Sequence, residues 1–180
     1  MRIKKVLIIS ILLISVNLNA KDKVYLNLGV ETGKLNIKKA NNIESKTSTS
    51  SASIGMGIII NNILLGAKGR LINSKCVECS DKNIGTGYSL DLKLGISQED
   101  QIVAVYAIGS AIDYDFLNND NTINNDTGYG VGLGASLKLG DIKYSGIPNM
   151  IYIDYIKYNM DSSTNKYKMS SFTVGTSWSF

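Results

Sequence analysis

The chain reads as all-β, a transmembrane antiparallel β-barrel of about eight strands behind a signal peptide. Three observations lead there. Apolar residues recur at every second position in eight segments, the connections between the segments run long, short, long, short, long, intermediate, long, and the first twenty residues have the layout of an export signal. Seventeen Gly and ten Tyr against a single Pro suit pleated strands.

At the start of the chain, Arg2, Lys4 and Lys5 precede a largely apolar run from Val6 to Val16, and Asn17-Leu18-Asn19-Ala20 places a small residue for cleavage after Ala20. The run is too short to cross a bilayer as a helix, which takes about 20 residues. Residues 1–20 are therefore read as a signal peptide and 21–180 as the barrel domain. No Cys follows the run, so lipid attachment is not indicated. The segment holds three of the nineteen Lys and Arg and none of the fifteen Asp and Glu, so the remainder carries a net charge of +1. A nearly neutral chain has no nucleic-acid footprint. No later stretch is long and apolar enough for a spanning helix, and alternating strands are too weakly apolar to be held in the inner membrane on the way out.

The first strand sets Val24, Leu26, Leu28 and Val30 against Tyr25, Asn27, Gly29 and Glu31. After the polar stretch Lys34 to Thr49, the second alternates Ala52, Ile54, Met56 and Ile58 with Ser and Gly, and Asn61-Asn62 makes a short turn. The third sets Ile63, Leu65, Ala67 and Leu71 against Gly66, Lys68 and Arg70. Past the polar stretch Asn73 to Gly85, the fourth sets Tyr88, Leu90, Leu92, Leu94 and Ile96 against Gly87, Ser89, Asp91, Lys93 and Gly95. A tight turn near Gln98 to Gln101 leads to a fifth strand, with Ile102, Ala104, Tyr106, Ile108, Ile112 and Tyr114 read as the outer face and Ala107, Gly109, Ala111 and Asp113 as the inner one. Beyond the Asn- and Asp-rich stretch Leu117 to Thr127, the sixth has the cleanest alternation, Tyr129, Val131, Leu133, Ala135, Leu137 and Leu139 against four Gly, Ser136 and Lys138. The seventh, Met150 to Tyr158, puts Lys157 on its apolar face, which a bulge or the water boundary would explain. The eighth sets Phe172, Val174, Thr176, Trp178 and Phe180 against small polar residues. Strands of ten to twelve residues are expected.

Period two also fits a soluble barrel, so the second face decides. Here it is Gly, Ser and Thr with scattered charges, the filling of a narrow eight-stranded lumen. Tyr88, Tyr114, Phe116 and Tyr129 fall beside the long loops and Trp178 and Phe180 at the other end, as two aromatic girdles. The expected location is the outer membrane, in contact with its lipid.

The terminal segment Ser171 to Phe180, alternating through Phe172, Val174 and Trp178 to a final Phe180, resembles the C-terminal assembly signal of outer-membrane barrels. That resemblance implies insertion by the barrel-assembly machinery. Export signal and strand count together resemble the OmpA/OmpX-like and opacity-type small barrels over nearly all of residues 21–180, without the peptidoglycan-binding domain of the full OmpA layout.

There is no histidine. Small barrels of the acyl-modifying, phospholipase and omptin kinds rely as families on a histidine acid or base, so their sites have no match here and a non-enzymatic role is expected. Cys76 and Cys79 in the second long loop are read as a local disulfide, because the cell surface is oxidising. Redox work would want a helix N-terminus beside the thiol and zinc would want more ligands. No cofactor or metal motif is present. The sixth-strand glycines lie on one face of a strand with no helix after them, so they form no phosphate loop, and they are read as making room for Lys and Arg from neighbouring strands. The Asn- and Asp-rich loop lacks the Gly and Glu of a calcium loop.

The chemistry left is a lumen charge network of Glu31, Asp91, Asp113 and Asp154 against Lys68, Arg70, Lys93 and Lys138. Paired, these groups make a plug; parted, a narrow porin-like ion channel. The leading expectation is a structural or adhesion role, as a monomer with polar loops open to an extracellular or host ligand, and the channel is the alternative.

Overall fold

The computed structural model describes residues 23–38, 44–76, 85–98, 102–117, 123–139, 149–161 and 166–179. Eight antiparallel strands close into one barrel: β1 (Lys23–Lys38), β2 (Glu44–Ile60), β3 (Ile63–Cys76), β4 (Gly85–Ser97), β5 (Val103–Leu117), β6 (Ile123–Lys138), β7 (Met150–Asp161) and β8 (Lys166–Ser179). Each strand pairs with the next in sequence and β8 returns to β1, so no edge is left open, as hydrocarbon surroundings require. Residues 1–20, Cys79 and Phe180 lie outside the described residues, and with them the signal segment, the disulfide and the final aromatic. Cys76 ends β3.

The strands are longer than the ten to twelve residues expected: β2 has 17 and β1 and β6 have 16 each. About 9–11 tilted residues span a bilayer. The surplus lies at the long-loop end, where polar segments read from sequence as loop continue the ladder, Lys34 pairing with Ser48 and Phe116 with Asn124. Their Ser, Thr and Asn content hid them, since polar residues pair in a ribbon as well as apolar ones once both faces are wet.

At the opposite end two residues join β2 to β3 and five separate β4 from β5, whereas eleven separate β6 from β7. Asn61 and Asn62 adopt φ of 47° and 69° between the paired Ile60 and Ile63. Left-handed conformation at both positions makes the two-residue turn whose twist matches the flanking strands, and Asn tolerates it. Ser97 N donates to Asn62 O at 2.7 Å and Gln98 N to Val103 O at 2.9 Å, which ties neighbouring turns together.

The outer surface is apolar through the middle. Leu92, Leu94, Ile96, Val131 and Leu133 are all more than half exposed, an arrangement that only a lipid environment stabilises. Towards the loops the band ends at exposed Tyr88, Tyr129, Tyr155 and Phe172, above which Thr127, Asn159 and Lys168 face outward. Lys157 belongs to this polar rim. Its pairing with Val131 and Ser170 runs on without interruption, so β7 has no bulge there and the water boundary accounts for the lysine. The register shift falls instead between β1 and β8, from Leu26 to Thr32.

One strand is inverted relative to the sequence reading. In β5, Ala104, Tyr106, Ile108, Ser110, Ile112 and Tyr114 are buried in the lumen, while Val103, Val105, Ala107, Gly109 and Ala111 face lipid. Both faces of this strand are apolar, so hydrophobicity does not choose between them; size does. Tyr106, Ile108, Ser110 and Ile112 lie directly opposite Gly134, Gly132, Gly130 and Gly128, and the space over those glycines is filled by Tyr106 from β5 and by Ile156, Tyr158 and Met160 from β7. Outside, Ala107 and Gly109 stand opposite Leu133 and Val131. Tyr114 is thus a lumen residue, not part of the aromatic girdle, and Tyr155 and Phe172 stand in the ring with Tyr88 and Tyr129.

Candidate functional site

The inward faces of β1, β3, β4 and β7 bring Glu31, Lys68, Arg70, Asp91, Lys93 and Asp154 to one level of the lumen, each buried. Three carboxylates meet three cations. Lys68 Nζ donates to Glu31 Oε1 at 2.8 Å and to Asp154 Oδ2 at 2.6 Å, bridging strands on opposite sides of the barrel. Arg70 Nη2 contacts Asp91 Oδ1 at 3.1 Å and Oδ2 at 2.9 Å, and its Nη1 lies 3.7 Å from Glu31 Oε2. Lys93 Nζ reaches Asp154 Oδ1 and Oδ2 at 3.3 and 3.1 Å.

Register alone would join Lys68 to Asp91, its direct cross-strand partner. The long side chain crosses the lumen instead, and Arg70 takes Asp91 by a diagonal. Arg70 thus pairs on the neighbouring strand, while Lys68 reaches carboxylates on β1 and β7.

Tyrosines and serines complete the shell. Tyr152 OH donates to Glu31 Oε1 at 2.6 Å and Tyr106 OH to Asp154 Oδ1 at 2.8 Å, while Ser110 Oγ donates to Asp91 Oδ1 at 2.6 Å. Arg70 also donates to Tyr158 OH at 2.8 Å and to Ser89 Oγ at 3.1 Å. The ammonium of Lys93 lies over the rings of Tyr106 and Tyr152, 4.3 and 5.0 Å from their centroids. A buried ion pair is tolerable only when its remaining hydrogen-bonding capacity is met, and hydroxyls supply that here.

The tyrosines occupy the space over the glycines that Lys and Arg were expected to take. A Cβ at Gly134 would run into the ring of Tyr106, and one at Gly175 into that of Tyr152. Tyr106, Tyr152 and Tyr158 were not among the candidate residues, although the glycine columns facing them were the signal that bulky inward partners had to exist.

Two candidates lie apart from the cluster. Asp113 is on the outer face at the rim, where its carboxylate accepts from Tyr88 OH at 2.7 Å and from Asn125 Nδ2 at 2.6 Å; the inversion of β5 places it there. Lys138 is on the lumen side near the tight turns, part of the wall of a cavity at that end. Among the described residues no group of three or more Cys, Asp or Glu could hold a metal ion. Phe172, Val174 and Trp178 lie on the outer side of β8, and Trp178 pairs with Leu26 on β1.

Above the charged level Ile72, Ile112, Tyr114, Met160 and Met169 are buried in the lumen together with one carboxylate, Asp126, which stands opposite Tyr114. The interior therefore runs from a largely apolar layer through the ion cluster to a small cavity at the other end.

No family model matches the sequence, and no curated protein matches it. Among solved structures, Neisserial surface protein A superposes with a TM-score of 0.56 at 16% identity, covering 87% of this chain and 97% of its own. Ail, the attachment invasion locus protein of Yersinia pestis, superposes with a TM-score of 0.55 at 11% identity, covering 89% of this chain and 99% of its own. Ail has also been solved in complex with the heparin analogue sucrose octasulfate, at a TM-score of 0.50. At these identities the likeness is one of fold: the chain is an eight-stranded barrel of the outer-membrane kind.

Proposed function

We propose that this protein is a closed, non-enzymatic surface barrel of the outer membrane, whose projecting strand ends and loops contact molecules outside the cell. The observation that supports it best is the lumen. Three carboxylates and three cations of the central cluster are paired across its whole width beneath a largely apolar layer, so the interior is a plug and the exterior end is where chemistry is offered. Conduction would need those pairs to part in a low-dielectric interior, at a cost of several kcal/mol per ion. Structural neighbours named for surface exposure and for attachment and invasion fit the same reading, and the heparin-analogue complex of one of them makes polyanionic host surfaces a reasonable first probe. Residues 1–20 direct export, and the last strand is the element the assembly machinery engages.

Two measurements test this. Cells displaying the protein should adhere to a host-cell layer more than cells displaying the same barrel with its long connections trimmed; equal adhesion would remove the interaction role. In a planar bilayer the refolded protein should give small, intermittent currents at most, and large steady currents would put the narrow channel in first place.

A further inference from the structure

At the tight-turn end of the lumen, below the ion cluster, lies a cavity of about 30 Å³. That is room for about two waters, or for one larger ion. Its polar wall is made by Asn27, Lys93, Ser97, Ser136, Lys138 and Ser177, the remainder being apolar or tyrosine side chains. No Asp or Glu is among the described residues lining it.

Two features of that wall are unfinished. Asn27 is 5% exposed, and its Oδ1 has no hydrogen-bond partner. Exchanging the amide oxygen and nitrogen puts two N–H donors at that same unpartnered spot on the cavity wall. Lys93 is 7% exposed, and its contacts to Asp154 at 3.1 and 3.3 Å are long beside the roughly 2.7–2.9 Å of a charge-assisted bond. Lys68, by contrast, holds the same carboxylate at 2.6 Å. Asp154 is thus claimed mainly by Lys68, and Lys93 is the loosely held cation on the cavity side.

We propose that this cavity is a binding site for a small monovalent anion of the halide class, held by the Lys93 ammonium, the Asn27 amide and the hydroxyls of Ser136 and Ser177. A partly apolar wall suits a large, weakly hydrated anion, and hydroxyl and amide donors fix it without needing further charge. The site goes beyond the surface-loop role and is independent of it, since it faces the tight turns and not the loops.

The test is unfolding of the detergent-refolded barrel in urea, followed by its shift in gel migration, in bromide or chloride against gluconate at constant ionic strength. Halide should stabilise saturably, and above half-saturation each tenfold increase should lower the unfolding constant about tenfold. Ser136→Leu, which fills the cavity without touching the six-charge cluster, should abolish the response in a barrel still shown to be folded by its migration. Asn27→Leu separates the occupants: over waters alone it should be neutral or stabilising and leave halide and gluconate equivalent, whereas over an anion it should weaken the halide response at least tenfold. Crystals soaked in bromide should show one anomalous peak within contact of Lys93 Nζ. Equal unfolding in halide and gluconate, or a cavity holding waters and no bromide, would overturn the proposal. Adhesion and conductance outcomes do not bear on it.

Discussion

Asp154 shows how much one side chain can carry in a lumen this narrow. It accepts from Lys68, Lys93 and Tyr106, so replacing it by Asn leaves two buried ammonium groups short of a counter-charge. Breaking a buried pair from one side costs about 3–5 kcal/mol, and Asp154→Asn should lower the urea midpoint of the refolded protein accordingly. Tyr106→Phe removes one hydroxyl from the same carboxylate and should cost less, about 1–3 kcal/mol. If both variants unfold with the unmodified protein, the cluster contributes no stability. Sequence showed that these charges share a face, because period two is enforced by backbone geometry. It did not show who pairs with whom, since a flexible lysine reaches across a space that linear spacing does not encode.

The elements divide into those whose face hydrophobicity selects and the one it does not. On β4 and β6 polar and apolar residues alternate, and Leu92→Arg or Leu133→Arg, at positions 61% and 69% exposed to lipid, should each destabilise by about 2–4 kcal/mol. On β5 both faces are apolar, and the bulkier one, with Tyr106, Ile108, Ile112 and Tyr114, fills the lumen while Ala107, Gly109 and Ala111 face outward. A nitroxide at Gly109, where an added Cβ meets nothing within 4 Å, should collide with oxygen dissolved in lipid, while one at Ser110 should be shielded or prevent folding. The reverse accessibility would return β5 to the facing read from its sequence. The β2–β3 hairpin makes a third element-scale case: Asn61→Ala and Asn62→Ala force left-handed backbone on a residue that resists it, at about 1–2 kcal/mol each, whereas Asn62→Gly should be tolerated.

For the whole molecule the closed ladder has a mechanical consequence. With β8 paired to β1, no strand can be peeled away without opening the ring, so the folded protein should resist SDS at room temperature and change its apparent mass on boiling. Identical migration before and after boiling would contradict a closed membrane barrel. The least regular part of that closure is the β1–β8 seam, where the register shifts between Leu26 and Thr32, and deletion or charge substitution at Phe180 should slow assembly because the last strand resembles the element the assembly machinery recognises. Unchanged outer-membrane levels in such a variant would remove the assembly-signal reading.

The amino-acid sequence by itself determined the strand number, the alternation and the membrane class, because each follows from local rules: period two sets which residues share a face, short Asn turns set the antiparallel order, and the Gly, Ser and charge content of the second face points inward only in a lipid-facing barrel. Tertiary structure alone decided the facing of β5, the place of Asp113 at the rim, the crossing pairs of Lys68 and Arg70, and the cavity beside Asn27. Each depends on volume and reach between strands far apart in sequence, and a filled lumen is a sum over eight strands that no single strand carries.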